Sequence, residues 1–176
     1  MKYRLPELED KKILTQYVME HYAHNEKSIS ASNRLTSTEY AEWVEKIHNN
    51  VNIPDKEWGK SLTYLCINDE NKLIGLLSVR YDLSEEKAME FGHIGYGVRP
   101  SERRKGYASQ MLKFALQECK KHGLDKAIVG CYKDNIGSAR TITKNNGKLI
   151  KENTVEVYIS DYWKINLVDQ IYEIEI

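Results

Sequence analysis

Three consecutive cations, Arg103, Arg104 and Lys105, run directly into Gly106, Tyr107 and Ala108 in the stretch RPSERRKGYA. That order suits an anion. The first amides of a helix have no acceptor within it, the helix dipole adds positive potential at the same end, and glycine or alanine lets a phosphate approach the backbone. The spacing is not GxxxxGK[ST], and the glycines of GHIGYG lie before the turn rather than entering a helix, so neither a P-loop nor a dinucleotide fingerprint is present. A second polar cluster follows in KDNIGSARTITKNNGKLI, residues 133–150, where Asn135 and Ser138 stand at the opening of a short helical pattern that closes at Gly147. Asparagine there serves as a helix cap, as a ligand contact, or as both. Glu90 and His93, just ahead of the first cluster, are the acid–base candidates, and an unperturbed imidazole titrates near neutrality.

These groups need elements to hold them. Periodicity predicts helices over Glu7–Tyr22 and after Thr36, where Thr36-Ser37-Thr38-Glu39 resembles a capping box with Thr36 as the cap. Ser61–Ile67 and Leu73–Tyr81 read as a hairpin about NDENK, with a short strand near Lys2–Leu5 and a polar excursion over DLSEEKAM. Glu90–Arg99 reads as a third strand, loosened by Gly92, Gly95 and Gly97, because interior glycines mark a bulge or a close backbone approach. Beyond Pro100 a helix beginning near Arg104 or Lys105 buries Ala108, Met111, Leu112, Ala115, Leu116 and Cys119 on one face, and Gly123 ends it. Lys126–Tyr132 is a strand, Ile136–Lys144 a helix, and Thr154–Tyr158 and Trp163–Leu167 are paired strands. The order describes one domain over residues 1–176, of α/β (α+β) class, with a single mixed, mostly antiparallel sheet and helices packed on both faces.

The segment YGVRPSERRKGYASQML resembles the acyl-CoA pyrophosphate signature (Q/R)-x-x-G-x-(G/A) of the GNAT N-acetyltransferase superfamily, with Arg103, Gly106 and Ala108 at its fixed positions. Asn135, Ser138 and Gly147 are similar to the second half of that family's cofactor site, and the phrase GHIGYGVRPSERRKGYA resembles a subgroup of uncharacterised acetyltransferases. The resemblance spans about residues 61–168; residues 1–60 match only as two helices. It implies acetyl-CoA as cosubstrate, held by Tyr96, Val98, Arg103, Arg104, Lys105, Gly106, Tyr107, Ala108, Asn135 and Ser138. It further implies direct attack by an amine of a small molecule or peptide, with the Val98 amide as oxyanion donor and Glu90 or His93 as base. The chain departs from the family where a tyrosine commonly protonates the leaving thiolate: Ile142 stands there, leaving Ser138, Thr141, Thr143 or a tyrosine from elsewhere. That departure keeps a second reading open, a non-catalytic acyl-CoA sensor or interaction module.

Composition narrows the partners. Lys and Arg total 26 against 26 Asp and Glu, so no global field draws the chain to nucleic acid or an anionic membrane. Cys66, Cys119 and Cys131 form no CxxC pair, and His21 and His24 have no third ligand at metal spacing, so no disulfide framework and no metal are expected. With no apolar leader or spanning run, the expectation is a cytoplasmic protein. The resemblance implies an acceptor between Tyr22–Trp58 and Thr154–Trp163, where Glu26, Glu39, Glu42 and Asp161 could meet a cation, and the terminal VDQIYEIEI is expected as an edge strand open to a homodimer.

Overall fold

A computed structural model describes residues 1–160 and 162–176. In chain order the strands are β1 (Lys2–Arg4), β2 (Ser61–Ile67), β3 (Leu73–Arg80), β4 (Ile94–Val98), β5 (Lys126–Tyr132), β6 (Lys148–Ser160) and β7 (Trp163–Glu175). The helices are α1 (Lys11–Ala23), α2 (Tyr40–Asn49), α3 (Glu85–Phe91), α4 (Tyr107–Lys121) and α5 (Ile136–Lys144). The α/β class holds, with antiparallel pairing throughout the described ladders, but the expected single sheet is two: β1-β2-β3-β4 and β5-β7-β6.

Alternation along β2 explains the layers. Leu65 and Ile67 face α1 and α2, where they pack with Leu14, Tyr17, Trp43, Val44 and Ile47. Leu62 and Cys66 face the other way, toward Met111, Leu112, Ala115 and Cys119 of α4 and Ile142 of α5. β3 is buried along nearly its whole length because helices cover both of its faces. Each large side chain fully buried in these layers contributes roughly 1.5–3 kcal/mol, so the two faces together hold the central strands rigid.

Four expectations are corrected. Glu39, not Thr36, caps α2: its carboxylate accepts the amides of Ala41 and Glu42, while residues 35–37 form a 3₁₀ turn. The polar excursion and the start of the expected third strand are helix α3, capped by the Ser84 hydroxyl, so Glu90 sits in the last helical turn and not on a strand. α4 starts later than expected, at Tyr107, after a 3₁₀ turn over Pro100–Glu102. Finally, the terminal stretch is no edge: β7 lies between β5 and β6, with both of its sides paired.

Candidate functional site between the two sheets

The two sheets meet at one clasp. His93 donates its amide to the carbonyl of Ile128 (2.7 Å), and Ile128 donates its amide to His93 Nδ1 (2.9 Å). Beyond that point β4 and β5 share no ladder among the described residues, and a cleft of about 520 Å³ opens between them. The register explains what β4 presents to it. Arg80 pairs with His93 and Arg99 with Ile74 through hydrogen bonds to β3, so alternation turns the backbone of Ile94, Tyr96 and Val98 away from β3, and Ile94 and Tyr96 line the cleft.

The glycines of β4 serve a neighbour within the chain. A Cβ on Gly97 would stand 3.0 Å from the Ser30 carbonyl and 3.3 Å from the Tyr17 hydroxyl, and one on Gly95 would touch Ala31. The loop after α1 therefore lies directly on the strand, and Tyr17 donates to the Gly97 carbonyl (3.1 Å). The close approach expected of these glycines is real, and the chain's own loop makes it.

At the end of β4 the turn into α4 is fixed by carboxylates. Glu26 grips Arg103 bidentately (2.6 Å to each oxygen) and also accepts from His21 Nδ1 (2.7 Å), while Arg103 Nε donates to the Val98 carbonyl (3.1 Å). These contacts, with Arg103 the largest influence, hold the Glu26 carboxyl down at about 2. Glu20 accepts the Ser101 amide (2.8 Å), and buried Glu102 pairs with Lys72 (2.5 Å) and Lys105 (2.9 Å). The side chains of Arg103 and Lys105, expected to face an anion, are thus engaged with protein carboxylates. Arg103 in particular is a strut that ties the turn to the segment after α1. Arg104 has no such partner among the described residues.

The backbone of the turn is what remains available. Arg104 (φ 63°) and Gly106 (φ 82°) both adopt the left-handed conformation, which glycine accepts at no steric cost and arginine only at about 1–2 kcal/mol. The amides of Arg104, Lys105 and Gly106 donate to no backbone acceptor within the described residues, and those of Tyr107 and Ala108 open α4. Nothing lies within 4 Å of where a Gly106 Cβ would be. Successive amides of this kind form an anion-binding concavity.

Opposite the turn, Asn135 caps α5 by accepting the Ser138 amide (3.1 Å). The Ser138 and Tyr96 hydroxyls share a hydrogen bond of 2.8 Å across the gap between the sheets, and burial pushes the Tyr96 phenol up to about 12. Ile142, at the family's tyrosine position, is fully buried in the core, and Thr141 and Thr143 donate to carbonyls of their own helix. Of the hydroxyls expected to substitute for that tyrosine, the fold brings Ser138, hydrogen-bonded to Tyr96, and Tyr132 into the cleft.

The acid–base expectations fare differently. His93 is a structural clasp: its Nδ1 is occupied by the Ile128 amide, and burial, aided by Arg80 and Lys126, lowers its imidazole to about 4. Glu90 lines the rim of the cleft from the end of α3. Glu39 is spent on its cap, Glu26 on Arg103, and Asp161 lies outside the described residues. A carboxylate missed in the sequence, Asp169 of β7, lines the cleft instead, together with Cys131 and Val157. Only the register of β7 with β5 could have revealed it, because it lies 38 positions from Cys131 in sequence and directly across from Tyr132 in space.

A family model described as the acetyltransferase (GNAT) family matches residues 20–147. The chain belongs to the GNAT acetyltransferase family. Its match takes in β4, the turn after it, α4, β5 and α5. Solved structures similar to this GNAT chain include an N-acetyltransferase from Staphylococcus aureus Mu50, 20% identical, TM-score 0.68, covering 99% of this chain and 97% of that one. A second, from Salmonella typhimurium, is described as modifying the N-terminal serine of ribosomal protein L7/L12; it is 19% identical with TM-score 0.67, covering 99% and 94%. A third, the microcin C7 self-immunity acetyltransferase MccE, was solved with acetyl-CoA and AMP and is 18% identical with TM-score 0.70, covering 99% and 91%. At such identities the likeness is one of fold. A search among curated proteins found no match. No helix of the described residues is long and apolar enough to cross a membrane, and no group of three metal-ligating side chains occurs among them.

Proposed function

We propose that this GNAT protein transfers the acetyl group of acetyl-CoA to an amine by direct attack in a ternary complex. The observation that carries the reading is the turn of Arg104–Ala108, where the amides of Arg104, Lys105 and Gly106 donate to no backbone acceptor among the described residues and nothing lies within 4 Å of a Gly106 Cβ position. The pyrophosphate of the cosubstrate fits against these amides, with Arg104 adding charge and Arg103 and Lys105 holding the turn's shape through Glu26 and Glu102. The pantetheine arm runs between β4 and β5, bonding the outward backbone of Tyr96, and passes Asn135 and Ser138 at the start of α5.

The cosubstrate supplies an activated carbonyl carbon and a thiol leaving group; the chain supplies placement and charge. The Val98 amide, turned from β3, donates to the carbonyl oxygen as negative charge develops there, a contact typically worth several kcal/mol in a site shielded from water. Ser138, polarised by Tyr96, stands where the departing sulfur needs a proton. Holding amine and carbonyl in line accounts for much of the rate in such a site.

The test is calorimetry with acetyl-CoA, followed by free-thiol release across a panel of primary amines. Binding with thiol release is expected. Binding with silence across the panel would favour an acyl-CoA sensor, and absence of both would reject the reading.

A further inference from the structure

Asp169 is a half-buried carboxylate for which no ion pair or side-chain hydrogen bond is found among the described residues. Its neighbours on the same two strands are settled: Glu152 accepts from Lys133 and Gln170, and Glu156 pairs with Lys164. Alternation on β7 puts Asp169 on the face of Ile171, which packs with Ile128 and Ala88 of α3. Asp169 therefore continues the α3-covered face into the open cleft. A Cβ on Gly130 would lie 3.8 Å from its Oδ1, so the bare glycine lets the carboxylate lie over β5.

The charged and titratable groups around the same cleft are Glu90 from α3, Tyr96 from β4, Cys131 and Tyr132 from β5, and Glu156 from β6. No lysine, arginine or histidine among the described residues lines it. Burial raises the Asp169 carboxyl above its ordinary value, which suits a group that must accept a proton. A carboxylate left without a cation in a cleft of acids attracts an ammonium ion.

We propose that Asp169 binds the ammonium group of the acceptor and removes its proton, so that the acceptors are alkylammonium compounds, cationic at neutral pH. This inference rests on the acetyl-transfer reading above. The ammonium gives one proton to the Asp169 carboxylate, and the freed nitrogen lone pair forms the C–N bond to the acetyl carbon. As the C–S bond breaks, sulfur keeps the electron pair and receives the nitrogen's second surplus proton by way of Ser138. The Asp169 proton passes to water on product release. One ammonium and one thioester yield one amide, one thiol and one proton, with nothing oxidised or reduced.

The experiment compares the full chain with Asp169→Asn and Asp169→Glu. Acetyl-CoA affinity is measured by calorimetry, and thiol release is followed from pH 5 to 9 with 1,4-diaminobutane, spermidine, lysine amide, butylamine and aniline. The expected result is reaction with alkylammonium probes in preference to aniline. Asp169→Asn should lose at least about 100-fold in kcat/KM and the acidic limb of the pH profile, with partial recovery in Asp169→Glu and acetyl-CoA affinity within threefold of wild type. The proposal is overturned by wild-type kinetics in Asp169→Asn, by lost acetyl-CoA affinity in that variant, by preference for aniline, or by inertness toward every alkylammonium probe in a protein that binds acetyl-CoA. Failure of the wild type to bind acetyl-CoA defeats the acetyl-transfer reading itself, and is seen separately in the calorimeter.

Discussion

The β4–α4 turn and the cleft between the sheets are built on different principles. At the β4–α4 turn the geometry is almost wholly local: a proline, a left-handed arginine and a left-handed glycine within seven residues set the amides, and three carboxylates clamp the result. In the cleft, Ser30, Glu90, Val157 and Asp169 come from four separate segments and meet only through the register of β7 and the loop lying on β4. On the proposed reading, the local motif is the place for a constant cosubstrate, and the cleft assembled from distant pieces is the place for a particular acceptor.

The sharpest way to break this contrast is Gly106→Glu. The new side chain meets no protein atom within 4 Å at its Cβ, yet puts bulk and negative charge at the proposed phosphate position. Acetyl-CoA affinity should fall more than about 100-fold, while the left-handed backbone costs only about 1–2 kcal/mol of stability, read as a drop of up to about 8 °C in Tm. Retained affinity would place the anion site elsewhere. Ser138→Ala and Tyr96→Phe come next: each should reduce kcat about 10- to 100-fold in thiol-release assays and leave acetyl-CoA affinity unchanged.

At the proposed acceptor site, Val157→Lys adds a cation to a cleft lined by carboxylates. Its KM for an amine should rise about tenfold with acetyl-CoA affinity intact; equal loss of both would mean the two sites are not separable. The smallest effect is expected from Glu26→Gln, which replaces a bidentate ion pair by a neutral contact and should cost about 1 kcal/mol in denaturant titrations. Because the folded Glu26 carboxyl is depressed to about 2 from 4.5, its contribution is fully present above pH 4.5 and fades as pH falls toward 2. The variant should lack that part of the acid dependence of stability.

The same contrast decides what could be read from the sequence. β2 and β5 have the limits their apolar patterns predict because each buries a continuous run, and α5 has its predicted limits because Asn135 caps its start and Asn145-Asn146-Gly147 end it. The anion turn was legible for the same reason that it is local. α3 was not: it has seven residues and buries only Ala88, so no stripe marks it, although Ser84 followed by Glu85 and Glu86 is a capping signal. β6 starts well before its predicted limit because Lys148–Glu152 are exposed and carry no apolar alternation, with Lys148 tied to Glu175, while β7 joins the two expected stretches, Trp163–Leu167 and VDQIYEIEI, into one strand whose second half is largely buried. The central position of β7 arises from its pairing with β5 across the whole of α5 and β6, which hydropathy does not encode. His93 looked chemical because imidazole titrates near neutrality, and burial beside Arg80 removes that property.

The most direct measurement is a crystal structure of the protein with acetyl-CoA. The account predicts the diphosphate within hydrogen-bond distance of the amides from Arg104 to Ala108, and the thioester oxygen at the Val98 amide in the gap between β4 and β5. Coenzyme A bound outside that gap, or a turn whose amides point into the protein in the complex, would contradict it.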